Sequence, residues 1–112
     1  MSDPIEPGNA ASYFAVWATD RPGVLAIRER EREAHRARLR SPPGGHPVQV
    51  VAGGPTLNEA DGTMNGTLLV VRADSIEAVQ RFLADDPYAL AQVYASVEVR
   101  PWRWGLGQPV IN

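Results

Sequence analysis

Two imidazoles, His35 and His46, and no side-chain thiol or amine make up the chemical inventory of this sequence, because Cys is absent and all 11 basic residues are Arg. Without Lys there is no Schiff base and no phosphate-loop lysine. Without Cys there is no thiolate nucleophile, disulfide or thiolate-ligated metal. Acid–base work must fall to an imidazole, a carboxylate, a tyrosine or bound water.

His35 lies in Val24–Arg40, a run without Gly or Pro that is rich in Glu, Arg, Ala and Leu, all good helix formers. At 100° per residue from His35, Val24 falls at about −20°, Arg28 at about +20°, Glu31 at about −40°, Leu39 at about +40° and Arg32 at about +60°. His35 is therefore on the inward stripe, with Arg28, Glu31 and Arg32 on or beside it. An ordinary amphipathic helix places Leu or Ala there, and functional sites are a common reason for the departure. The competing reading is a structural histidine. Nine charged residues between Arg28 and Arg40 put charge near any stripe, and Arg stems can lie over apolar surface. The pattern alone leaves both readings open.

His46, between a Pro- and Gly-rich turn and Pro47, reads as a solvated loop residue. A two-histidine metal site would need further carboxylate ligands at matched spacing, and the sequence offers no such pattern; a metal at His35 with Asp86 and Glu31 is the less favoured alternative. Asp86 precedes Pro87 and reads as a helix cap. Gly53-Gly54-Pro55 reads as a turn, and no phosphate-binding glycine motif is present. The net charge of −2 provides no field for nucleic acid. The helix arginines, offset by Glu29, Glu31 and Glu33, read as a solvated ion-pair face. No run reaches the ~18 apolar residues of a membrane span. Met1–Ala11 lacks the flank and core of a signal peptide, so a cytoplasmic location is expected.

The elements that must hold these residues read in order. Met1–Ala11 is expected to be a flexible arm. Ser12–Thr19 is a strand, ended by the turn residues Asp20-Arg-Pro-Gly. The first helix stops at Ser41-Pro-Pro-Gly-Gly. Val48–Ala52 is a second strand, Asn58–Asn65 a polar loop and Gly66–Ala73 a third strand. Asp74, with Glu77 three residues on, is the expected cap of a second helix with the stripe Ile76, Val79, Phe82 and Leu83. Val97–Trp104 is a fourth strand, and Gly105–Asn112 a tail. The order β-α-β-β-α-β predicts an α+β, ferredoxin-like domain over residues 12–104: a four-stranded antiparallel sheet with two main helices on one face. Strands apolar on both sides need a cover for the other face, and a second copy of the same sheet predicts a homodimer.

Several segments together resemble the YciI-like (YCII-related) family. Arg32-Glu-Ala-His35-Arg-Ala-Arg-Leu39 is similar to its R-x-x-H-x-x-x-L helix motif. Gly54-Pro55, Gly66-Thr67, Asp86-Pro87-Tyr88 and Val97-Glu-Val-Arg-Pro101-Trp102 resemble its later elements in order. The resemblance implies a dimeric α+β barrel, the fold also used by muconolactone isomerase, with a site built on a His-Asp pair, here His35 and Asp86. The family includes a dehydrochlorinase acting on a chlorinated hydroxyquinol without metal or organic cofactor. Thr67 replaces a common Ser while keeping its hydroxyl, and the Ser41-Pro-Pro-Gly-Gly break departs from a more helical stretch.

The expectation is a cofactor-independent acid–base enzyme for elimination or isomerisation of a small anionic or phenolic metabolite. In it, His35 is the general acid/base and Asp86 its orienting partner. Arg32 and Arg28 hold an anionic substrate, Thr67, Tyr88 and Gly54 make polar or backbone contacts, and Trp17 forms an apolar wall. The alternative is a non-catalytic ligand-binding or dimerisation module of the same fold.

Overall fold

The computed structural model describes residues 12–44 and 46–107; the expected arm (residues 1–11) and the end of the tail (residues 108–112) lie outside them. The elements are β1 (Ser12–Asp20), α1 (Leu25–Arg40), β2 (Val48–Leu57), β3 (Met64–Ala73), α2 (Ile76–Ala84), α3 (Pro87–Leu90) and β4 (Tyr94–Trp102). The sheet order is β2-β3-β1-β4 with every pairing antiparallel, which is the ferredoxin-like arrangement. None of the described helices is long and apolar enough to cross a membrane.

Alternation along the two central strands sends Phe14, Val16 and Ala18 of β1, with Leu69, Val71 and Ala73 of β3, toward the helices. The main core forms where most of these residues meet Ala78, Val79, Phe82 and Leu83 of α2. A smaller cluster joins Val24, Tyr88 and Val93 at the other end of the helical layer. The opposite sheet face leaves Trp17 52% and Leu68 42% exposed.

Several boundaries differ from the sequence reading, each for a local reason. Ser75, not Asp74, caps α2: its hydroxyl accepts from the Ala78 amide at 3.1 Å, while its own backbone is extended. Strand β2 does not stop at Gly53-Gly54-Pro55 but runs through it to Leu57. Because β2 is an edge strand, a proline costs it no central ladder. The pairing register shifts between Val50 and Ala52, so Val51 forms a bulge in that strand. Gly53 fits where a Cβ would come within 2.5 Å of Leu69 Cδ2. Strand β3 begins at Met64 rather than Gly66, and β4 spans Tyr94–Trp102 rather than Val97–Trp104. Asp20, read as a turn residue, is the last residue of β1.

His46 is the largest departure. It is only partly exposed and packs edge-on against Phe82, with ring centroids 4.9 Å apart. Its Nδ1 is buried without a hydrogen-bond partner among the described residues. Arg38 lies over the same phenyl ring at 4.2 Å. Burial, and then the nearby Arg38 charge, hold the imidazole below the ordinary histidine range. The unfolded chain therefore binds the His46 proton more readily than the folded one. The stability contributed by this residue is present above the ordinary value of 6.5 and is lost as pH falls toward the lower folded value. In thermal melts between pH 7.5 and pH 5, wild type is expected to lose more Tm than His46→Gln. Parallel curves would show that His46 carries no such coupling.

Candidate active site

Helix α1 has two fully buried side chains, and both are polar: Arg28 and His35. Each is held by a carboxylate from another element. Asp20, at the end of β1, receives Arg28 Nε at 2.7 Å and Nη2 at 3.0 Å. This fork-on-carboxylate geometry is the strong form of the pair. Asp86, the cap of α3, lies with both carboxylate oxygens 2.9 Å from His35 Nδ1.

Local sequence places Asp86. Pro87 sets the first turn of α3, and Asp86 Oδ2 accepts from the Tyr88 amide at 2.9 Å. The cap expected from sequence and the imidazole partner are thus one carboxylate. Since a carboxylate only accepts, Nδ1 of the neutral imidazole donates, and Nε2 keeps its lone pair for the cleft that His35 lines. Arg38 Nη1 approaches Asp86 Oδ1 at 3.8 Å, beyond hydrogen-bond length, and is buried with no hydrogen-bond partner among the described residues.

Tyr88 links the two buried pairs. Its ring stacks on His35 with centroids 3.9 Å apart and planes 17° apart. The Arg28 guanidinium lies 4.4 Å from the same centroid. Two flat groups that close cannot share one face, so Tyr88 is sandwiched between them. Burial pushes the Tyr88 hydroxyl up from its ordinary value. Beyond Tyr88, Arg28 Nη2 donates to Thr67 Oγ1 at 2.7 Å, and the Tyr94 hydroxyl donates to the same oxygen at 2.9 Å. Both Thr67 lone pairs are then taken, which leaves its own O–H proton to point at a cleft ligand. Burial drives the Tyr94 phenol strongly upward, so it remains a protonated donor at neutral pH.

The cleft has a volume of about 400 Å³, between α1 and the bulged end of β2. Of the residues expected from sequence, His35, Arg28, Arg32, Thr67, Tyr88 and Gly54 line it, and Asp86 supports it from behind. Trp17 does not: it projects from the opposite sheet face, because alternation in β1 places Val16 and Ala18 on the helix side. Arg28 lines the cleft, but its Nε and Nη2 are committed to Asp20 and Thr67. The sequence reading missed Asp20, whose pairing with Arg28 depends on how the turn after β1 starts α1, and Tyr94, which reaches Thr67 across the sheet. It also missed Arg36 and Arg40, which the four-residue spacing from Arg32 made legible. Among the described residues, no group of three or more His, Asp or Glu gathers in metal-ligand geometry.

Residues 12–103 match the family model described as the YCII-related domain. This chain belongs to the YCII-related family. Among solved structures, it is similar to 5-chloro-2-hydroxyhydroquinone dehydrochlorinase from Burkholderia phenoliruptrix, in complex with 2,5-dihydroxybenzoquinone. The two are 32% identical with a TM-score of 0.71, over 83% of this chain and 95% of that one. An uncharacterised Haemophilus influenzae protein is 29% identical over 94 residues, covering 81% of this chain and 96% of the relative. A dimeric ferredoxin-like protein of unknown function from Bacteroides fragilis shares the fold at 16% identity and a TM-score of 0.52, over 85% and 97% of the two chains.

The buried network makes a stability prediction for this YCII-related chain. Asp20→Asn would leave Arg28 as an uncompensated buried charge, and urea unfolding is expected to show a loss of about 3 to 5 kcal/mol. A loss below about 1 kcal/mol would mean that the guanidinium finds water instead, on the scale of exposed pairs.

Proposed function

We propose that this protein is a cofactor-independent enzyme in which His35 moves a proton on a small acidic metabolite, leading to elimination or isomerisation. The observation that carries this reading is the His35–Asp86 contact: Nδ1 is tied to a buried carboxylate in an imidazole that lines a cleft. That arrangement suits a general base, because the carboxylate fixes the tautomer and balances the imidazolium that forms. Nε2 takes a proton from a saturated carbon next to a carbonyl, as in a keto acid or the keto form of a phenol. The electron pair of the broken C–H bond shifts to form the enolate. It then either expels a leaving group or recaptures the proton at a neighbouring carbon. The Thr67 hydroxyl supplies a donor for the enolate oxygen, and Arg32 holds an anionic group of the substrate.

Likeness to a dehydrochlorinase in complex with a dihydroxybenzoquinone supports a small-molecule enzyme of this type. Identity of 32% to that enzyme does not carry its substrate over to this chain. The test is deuterium wash-in or elimination on a panel of hydroxylated aromatics and keto acids, read by NMR in D2O. His35→Ala and Asp86→Asn are each expected to lower the rate by about 100-fold or more with circular dichroism unchanged. Folded variants that keep full activity would remove the assignment.

The exposed sheet face supports assembly as a homodimer. Trp17 and Leu68 pair across β1 and β3 on that face, with Val70 and Ala15 beside them. An apolar patch of this kind on a sheet calls for a partner surface. Light scattering at micromolar concentration is expected to give twice the chain mass, and Leu68→Arg to give the single-chain mass. A monomeric wild type would overturn the dimer.

A further inference from the structure

Four arginines of α1, Arg28, Arg32, Arg36 and Arg40, recur every fourth residue, and all four line the cleft. Like charges at that spacing repel and weaken a helix. A merely solvated face would interleave them with acids. Here the charges are sorted instead: Glu29, Glu31 and Glu33 are absent from the lining, which contains no Asp or Glu.

The four are not equivalent. Arg28 is neutralised by Asp20. Arg36 has Glu33 at 3.6 Å, an exposed and loose pair. Arg32 and Arg40 have no ion-pair partner among the described residues. They stand two helical turns apart, about 12 Å along the axis, with His35 between their levels. Between them the cleft wall is largely apolar, with Leu39, Val51 and Met64 contributing.

From this layout we infer that the substrate carries two fixed negative charges, one at each end of an apolar or planar middle, with the reacting carbon held between them at His35. A neutral phenol would leave both guanidinium groups facing an unoccupied site, and a monoanion would answer only one. A dianion satisfies Arg32 and Arg40 together and seats its centre beside Nε2. The inference rests on reading the cleft as the substrate site, but it requires no proton transfer.

Calorimetric titration of the full chain at low ionic strength tests it with three probes of equal length: adipate, hexanoate and 1,6-hexanediol. Adipate is expected to bind at least about tenfold more tightly than hexanoate, the scale of one further charge-assisted contact, with hexanediol weakest. Arg40→Gln, an exposed position that should leave the fold intact, is expected to bring adipate down to the affinity of hexanoate while moving hexanoate by less than about twofold. Arg32→Gln in the same background should abolish the remaining preference of hexanoate over hexanediol. Adipate binding no better than hexanoate, absence of measurable adipate binding, or Arg40→Gln leaving the ratio unchanged would each overturn the dianion. Deuterium wash-in by His35 is read separately. Its failure with an intact charge preference would count only against catalysis, and the reverse result only against the dianion.

Discussion

The buried residues that dock helix α1 belong to two polar pairs, with Ile27 and Leu39 only partly buried beside them, and the arrangement of the site depends on this. Its buried residues are Arg28 and His35, which must meet Asp20 and Asp86 to be tolerated out of water. For Arg28, a buried cation without its carboxylate costs several kcal/mol; for His35, the Asp86 contact fixes the ring by a buried hydrogen bond. The Asp20 contact sets the N-terminal half of the helix against the end of β1. The Asp86 contact sets the second half against the cap of α3. Tyr88, between Arg28 and His35, ties the two fixings into one stack.

Docking by polar side chains explains why a cleft exists. A helix with a full apolar stripe would press onto the sheet and close the space above β2. Here the stripe is supplied by long arginines, and the edge strand beneath them is bulged at Val51 and reduced to glycine at Gly53 and Gly54. The main apolar core is displaced to α2, whose stripe of Val79, Phe82 and Leu83 meets the central strands. The molecule thus divides its labour, with α2 supplying most of the hydrophobic core and α1 the polar wall of the cleft.

How far the sequence could be read follows the same division. The α2 side was legible because it obeys ordinary periodicity, and the strand-helix order was enough to identify the fold. The cap shifted by one residue because Asp74 and Ser75 are both good caps, and local sequence does not choose between them. Strand β2 was cut short because Gly and Pro usually break strands, whereas an edge position tolerates them. His46 was read as solvated from its Pro- and Gly-rich neighbours; its packing against Phe82 depends on where α2 lies, which no local rule contains.

By itself, the sequence determined which chemistry was available: imidazole and carboxylate, with Arg as the only side-chain cation outside the histidines. It also placed His35 on the inward face of α1, because helical angle depends only on residue number. Tertiary structure alone decided which partners those groups have. Asp20 reaches Arg28 because β1 ends beside the start of α1, and Tyr94 reaches Thr67 because β4 returns next to β1. Trp17 was excluded from the cleft by the side on which β1 turns it. The Thr67–Tyr94 pairing joins separated strands and the Asp20–Arg28 pairing joins two elements across a turn; strand order, sheet face and the entry of α1 fix them, and local spacing carries no information about these.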